Sequence, residues 1–144
     1  MPQGRSRELL TTADGRSVCF AQWGDLSGAP VVFMHGTPGG RLNRHPDEGV
    51  YIELGIRWIT YDRPGYGGSD RLPGRRIVSC VADVAAIVDA LGIDRFAVTG
   101  SSGAAPTCSL WRLGWDIASY GHGATWDWHP TARRGWTSSR GWIL

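Results

Sequence analysis

The sequence of 144 residues contains no lysine: all fifteen basic residues are arginine, and against thirteen acids they leave a formal charge of +2. So small an excess gives no electrostatic footprint for nucleic acid or an anionic membrane, and neither partner is expected. No apolar run approaches the roughly 20 residues of a membrane span, and residues 1–15 carry no apolar core of a secretory signal. Cys19, Cys80 and Cys108 form no Cys-x-x-Cys pair and leave an odd count, which points to reduced thiols in a cytosol-like compartment. A soluble cytoplasmic protein is therefore expected. Neither Gly-x-Gly-x-x-Gly nor Gly-Lys-Ser/Thr follows the glycine-rich stretch at 65–68, so nucleotide binding is not expected. No cofactor and no metal site are expected either.

What is present is glycine, at 21 residues well above the usual share of roughly 7%. The length fits one domain with a sizeable core. Two compositions divide the chain. Residues 1–104 hold eleven Arg, eleven acids, nine Val and two of the eight Trp; residues 105–144 hold four Arg, two acids, six Trp and no Val.

Residues 1–104 alternate strand-like and helix-like segments. Residues 18–23 read as a strand, and the apolar run 31–34 reads as a buried strand entering the turn-rich His35-Gly36-Thr37-Pro38-Gly39-Gly40. Residues 46–54 suit a short helix with acids in its first turn, closed by Gly55, and residues 56–61 suit another strand. The Pro and Gly residues of 62–70 forbid regular structure. From Arg75, Ile77, Val81, Val84, Val88 and Leu91 recur at spacings of four and three, the face of an amphipathic helix ending at Gly92. Residues 96–99 form the next strand. This order predicts an α/β fold with a mostly parallel sheet and flanking helices, because parallel neighbours need crossovers. The loops at 36–40, 62–70 and 100–104 each follow a strand and should gather at the carboxyl edge of the sheet, where ligands bind.

Gly100-Ser101-Ser102-Gly103-Ala104 follows a strand and has the form of a nucleophile elbow, with Ser102 the nucleophile and Ala104 in place of the usual glycine. Small neighbours are required because the turn is so tight. Such a turn aims the N–H of Gly103 at the oxygen that becomes negative during acyl transfer, and Thr37 can supply the second N–H, Gly36 letting the backbone come close. Asp62 and Arg63 look like a charge pair that fixes the middle loop. Tyr66 either lines the pocket mouth or packs over that loop.

The set His-Gly-Thr-Pro-Gly-Gly at 35–40, Asp-Arg-Pro-Gly-Tyr-Gly-Gly-Ser-Asp at 62–70 and Val-Thr-Gly-Ser-Ser-Gly at 98–103 resembles the α/β-hydrolase superfamily, its proline-iminopeptidase-like branch most closely, over about residues 7–104. The resemblance implies a serine hydrolase acting on an ester or amide, with Ser102 as nucleophile and the N–H groups of Thr37 and Gly103 as oxyanion hole. It also implies that His35 braces its loop and is not a base. Ser rather than Asp at the elbow argues against the haloalkane dehalogenase and epoxide hydrolase branches. The alternative is a non-catalytic binding or interaction module, or an inactive fragment, that keeps the loop edge.

A serine nucleophile needs a general base held by an acid, in the order Ser, acid, His in this fold. After Ser102 only Asp116 and Asp127 could serve as acid and only His122 and His129 as base, and residues 105–144 show no recognisable strand to carry them. The chain is thus expected to be the N-terminal half of the fold, turning over slowly or not at all. It should continue in an atypical tail that is poorly ordered or partly helical at its start. A shifted reading frame from Ala105 accounts for that tail: each TGG codon of Trp then contributes a codon for Leu, Met or Val, and an apolar, Ala-rich helix emerges. The nucleotide sequence tests this, since a single insertion or deletion near codon 104 should restore a long open frame with later Asp and His.

Overall fold

The computed structural model describes residues 4–102 together with the backbone of two short strands, at 117–120 and 123–126. Strands β1 (Arg5–Thr11), β2 (Ser17–Gly24) and β3 (Ala29–Met34) come first, then helix α1 (Gly49–Glu53) and β4 (Ile56–Tyr61), then helix α2 (Ser79–Ala90) and β5 (Ala97–Gly100). These five strands make one sheet in the order β1-β2-β4-β3-β5. Among the described residues no helix is long and apolar enough to cross a membrane.

Alternation along β2 sorts its side chains to two faces. On one face Val18 and Phe20 join Val32, Met34, Ile59 and Tyr61 from the neighbouring strands against Cys80, Val84, Ile87 and Val88 of α2. On the other, Ala21 and Trp23 pack with Tyr51 of α1 and with Trp58, whose ring stacks on Tyr51 at 5.2 Å. One helix on each face gives the layered α/β architecture expected.

The sheet is mixed where a mostly parallel one was predicted. Strand β4 runs parallel to β3 and β3 to β5, but β2 is antiparallel to both β1 and β4. The link at 25–28 between β2 and β3 is too short for a parallel crossover. Strand β1 was not anticipated, because its side chains are mostly exposed and its sequence is charged; Arg5, Arg7 and Glu8 suit it to a sheet edge. Asp14-Gly15 in the turn to β2, with Gly15 at φ 82°, is the hairpin signal that could have found it.

Both helices are shorter than expected. The acids Asp47 and Glu48 precede α1 instead of lying in its first turn; the Asp47 carboxylate accepts from the Gly49 N–H at 2.9 Å. Helix α2 starts at Ser79, so Ile77 stays outside it, half exposed, and the buried face runs through Cys80, Val84, Ile87 and Val88. Strand β5 is displaced by one residue from the expected 96–99. In the stretch where no strand was expected, Ile117–Tyr120 (β6) and Gly123–Trp126 (β7) pair antiparallel as a separate two-stranded sheet. The register sets Tyr120 opposite Gly123. The rest of 105–144, where a tail poorly ordered or helical at its start was expected, lies outside the described residues.

Candidate active site

Strands β3, β4 and β5 are adjacent and parallel, so their carboxyl ends release three loops at one edge of the sheet. Met34 is paired with Gly100, and the Ser101 N–H continues the ladder to the Met34 carbonyl at 3.3 Å. This brings Ser102 beside the loop that opens at His35.

Ser102 has φ 50°, and it is the one non-glycine residue with positive φ among those described. The left-handed region strains an L-residue, and such strain collects at functional turns. Its side chain is exposed. The opposing loop comes so close that a β-carbon at Gly36 would stand 3.0 Å from the Ser101 carbonyl oxygen and 3.2 Å from Ser102 Cβ. Only glycine fits there without displacing one loop. Thr37, the next residue, is exposed. Gly103, Ala104, Asp116, His122, Asp127 and His129 lie outside the described residues.

His35 is 1% exposed. One ring nitrogen, Nδ1, lies 2.7 Å from the Gly36 carbonyl oxygen, and the other, Nε2, accepts the Arg63 N–H at 3.2 Å. The pattern is that of a neutral ring with its proton on Nδ1, and burial depresses the basicity of that ring below its ordinary value of 6.5. Both nitrogens are engaged by backbone, so His35 joins two loops and has no lone pair left for a substrate. The other described histidine, His45, bonds within its own loop at Asp47.

The expected Asp62–Arg63 charge pair does not form. Asp62, 1% exposed, takes the Arg41 guanidinium at 2.7 Å, the Arg41 N–H at 2.7 Å and the Gly68 N–H at 2.9 Å. Arg63 turns instead to the loop that opens at His35. Its Nη2 donates to the Gly36 carbonyl at 3.1 Å and to the Thr37 hydroxyl at 2.8 Å. Ser69 ties the same loop to β2, donating to the Asp62 carbonyl at 2.6 Å and accepting from the Cys19 N–H at 2.8 Å. Arg41 was missed because nothing local marks a partner 21 positions away.

Tyr66 stands between these parts. Its hydroxyl lies 3.3 Å from the Thr37 hydroxyl and its ring packs edge-on to His35 at 5.1 Å. The guanidinium carbons of Arg63 and Arg75 lie 5.1 and 5.4 Å from the ring centroid. The hydrogen bond to Thr37, and after it the bond to Arg75 and the two cations, hold the phenol below its ordinary 10.0. Tyr66 thus both packs over the loop and borders the site. Among the described residues no cluster of His, Cys, Asp or Glu could hold a metal ion.

Comparison with known proteins agrees with this frame. The profile of the family described as alpha/beta hydrolase fold matches residues 29–112, more than half of the chain. A non-heme chloroperoxidase of Streptomyces lividans is 36% identical over 85 residues, covering 58% of this chain and 31% of the relative. A proline iminopeptidase of Xanthomonas citri is 33% identical over 100 residues, covering 65% and 30%. The structure of an epoxide hydrolase from an endophytic Streptomyces superposes with a TM-score of 0.60 at 28% identity, over 74% of this chain and 33% of that one. The chain therefore spans about a third of the length of the proteins it matches. With three loops on one parallel edge, a serine in a left-handed turn and that profile match, the chain belongs to the alpha/beta hydrolase fold family.

Proposed function

We propose that the protein is a serine hydrolase that acts on a small-molecule ester or amide by acyl transfer to Ser102. The observation that carries this reading is the left-handed φ of Ser102, exposed and set against the glycine Gly36 at the end of a central strand. A hydroxyl there forms an acyl-enzyme; the carboxylate needed to open an epoxide by alkyl transfer is absent at that position. The Thr37 N–H and the Gly103 N–H serve as oxyanion hole. His35, Gly36, Asp62 and Arg63 are positioning residues, and Cys19 and Cys80, both buried and free, suit a reducing cytoplasm. The hydrolase part is taken as residues 1–104, from the change in composition there, although the family match runs on to 112.

Among the described residues His35 has no free nitrogen to take the Ser102 proton, and the reading includes an impaired chain that turns over slowly or not at all. A fluorophosphonate probe tests the reading without requiring turnover. Labelling of the folded protein that disappears in Ser102→Ala supports it; a folded chain that is not labelled, or that is labelled equally in Ser102→Ala, overturns it in favour of a non-catalytic binding module.

A further inference from the structure

Among the described residues the border of the site carries an excess of positive charge that its acids do not neutralise. Arg63 is 7% exposed, yet its guanidinium meets no carboxylate among the described residues: Nη2 donates to a carbonyl and a hydroxyl, and Nε is buried with no partner. A buried cation is ordinarily paired, because the hydration it loses must be made good by an anion or by hydrogen bonds. The adjoining acids are already committed. Asp62 is bonded to Arg41 and Gly68, and Asp70 accepts from the Ser17 N–H at 2.7 Å. Arg75, exposed and outside every ion pair formed by the described residues, lies over the Tyr66 ring from another loop. The Tyr66 and Thr37 hydroxyls, bonded to each other, leave one O–H to complete the corner, which adjoins the Gly36–Ser102 approach.

We infer that this corner, Arg75 and Tyr66 backed by Arg63 and Thr37, receives a carboxylate on the substrate, so that the enzyme prefers esters or amides bearing a second, anionic group. The inference rests on the Ser102 reading for where the scissile bond lies, but the anion site stands on the arginines alone. Arg75 reaches the carboxylate as a charged donor at the solvent side. Arg63 stays locked to the Thr37 loop and supplies field from behind, which is why the lack of a counter-ion among the described residues matters. A substrate presenting an ammonium group at the same corner is disfavoured for the same reason.

The test is protection of Ser102 from a fluorophosphonate by monomethyl glutarate, an anion, against dimethyl glutarate, its neutral counterpart. Binding of both compounds is followed in parallel by amide chemical shifts of Thr37 and Tyr66. The anion is expected to protect at about tenfold lower concentration, and Arg75→Gln to remove most of that preference, as for loss of one charge-assisted bond (roughly tenfold). Arg76→Gln, with the same change in net charge at the next residue, is expected to keep it. Equal protection by the two compounds, or equal loss of preference in both variants, overturns the anion corner. If Ser102 is not labelled but the Thr37 and Tyr66 shifts still favour the anion through Arg75, the hydrolase reading falls and the anion site stands.

Discussion

Asp62 offers the sharpest test of how the site is held. Its carboxylate is 1% exposed and receives three donors: the Arg41 guanidinium, the Arg41 N–H and the Gly68 N–H, at 2.7, 2.7 and 2.9 Å. Bonds to a charged group contribute about 1.5–3 kcal/mol each, but they are not additive, and breaking a buried pair costs about 3–5 kcal/mol in all. The Arg41 side chain retains 18% of its exposure, so water recovers part of its charge and the lower end applies: about 3 kcal/mol for Asp62→Ala. Asp62→Asn is the more telling change. All three partners are donors, so an amide must turn its NH2 toward at least one of them, and the expected loss is about 2 kcal/mol despite unchanged volume. Urea unfolding followed by tryptophan fluorescence reads both values, and the double variant with Arg41→Ala closes a cycle with a coupling of about 1 kcal/mol or more. A cost for Asp62→Asn below about 0.5 kcal/mol, or no coupling to Arg41, would refute the reasoning, because the carboxylate would then be dispensable.

Two further outcomes follow from the same loops. His35 is held neutral by burial below its ordinary 6.5, so the unfolded chain binds the extra proton as pH falls through 6.5. Its contribution is whole above that pH and declines below it. Urea midpoints should drop from pH 7.5 to pH 5.5, and His35→Gln should flatten that slope; an unchanged slope in the variant would assign the drop elsewhere. Gly36→Ala places a β-carbon 3.0 Å from the Ser101 carbonyl oxygen, so the two loops must part by a few tenths of an ångström. Fluorophosphonate labelling of Ser102 should slow by roughly tenfold with the circular dichroism spectrum kept, since misplacement on the ångström scale costs on the order of a hundredfold; wild-type labelling would show that the approach is not needed.

The parts of the fold visible in the sequence were those written locally. An apolar run at 31–34 ending in His35-Gly36, and a strand running into Gly100-Ser101-Ser102, announce themselves in a few residues each, and those two loops meet across the sheet. Strand β1 was hidden because an exposed edge strand needs no apolar alternation, as Leu9, half exposed, illustrates. The start of α2 was misplaced because Ile77 matches the helical spacing while lying before the helix. Charge partnership differs for another reason: Asp62 and Arg63 are adjacent in sequence, but their side chains part, one to Arg41 and the other to Thr37.

That separation has a functional sense. Asp62 faces Arg41 and Gly68 and closes its own loop, whereas Arg63 and His35 face each other and the Gly36 carbonyl. The position of the Thr37 N–H is thus fixed by residues between 35 and 68, with the Ser69 hydroxyl anchoring the far end to β2. None of these bonds involves a residue after 102. Loop geometry is therefore testable apart from proton transfer: variants at Asp62, His35 and Gly36 alter the loops that face Ser102 without touching any residue after 102. A folded chain whose Ser102 resists the probe overturns the hydrolase reading, yet Asp62 and His35 variants that behave as expected in urea would still show that these bonds hold the loop opening at His35.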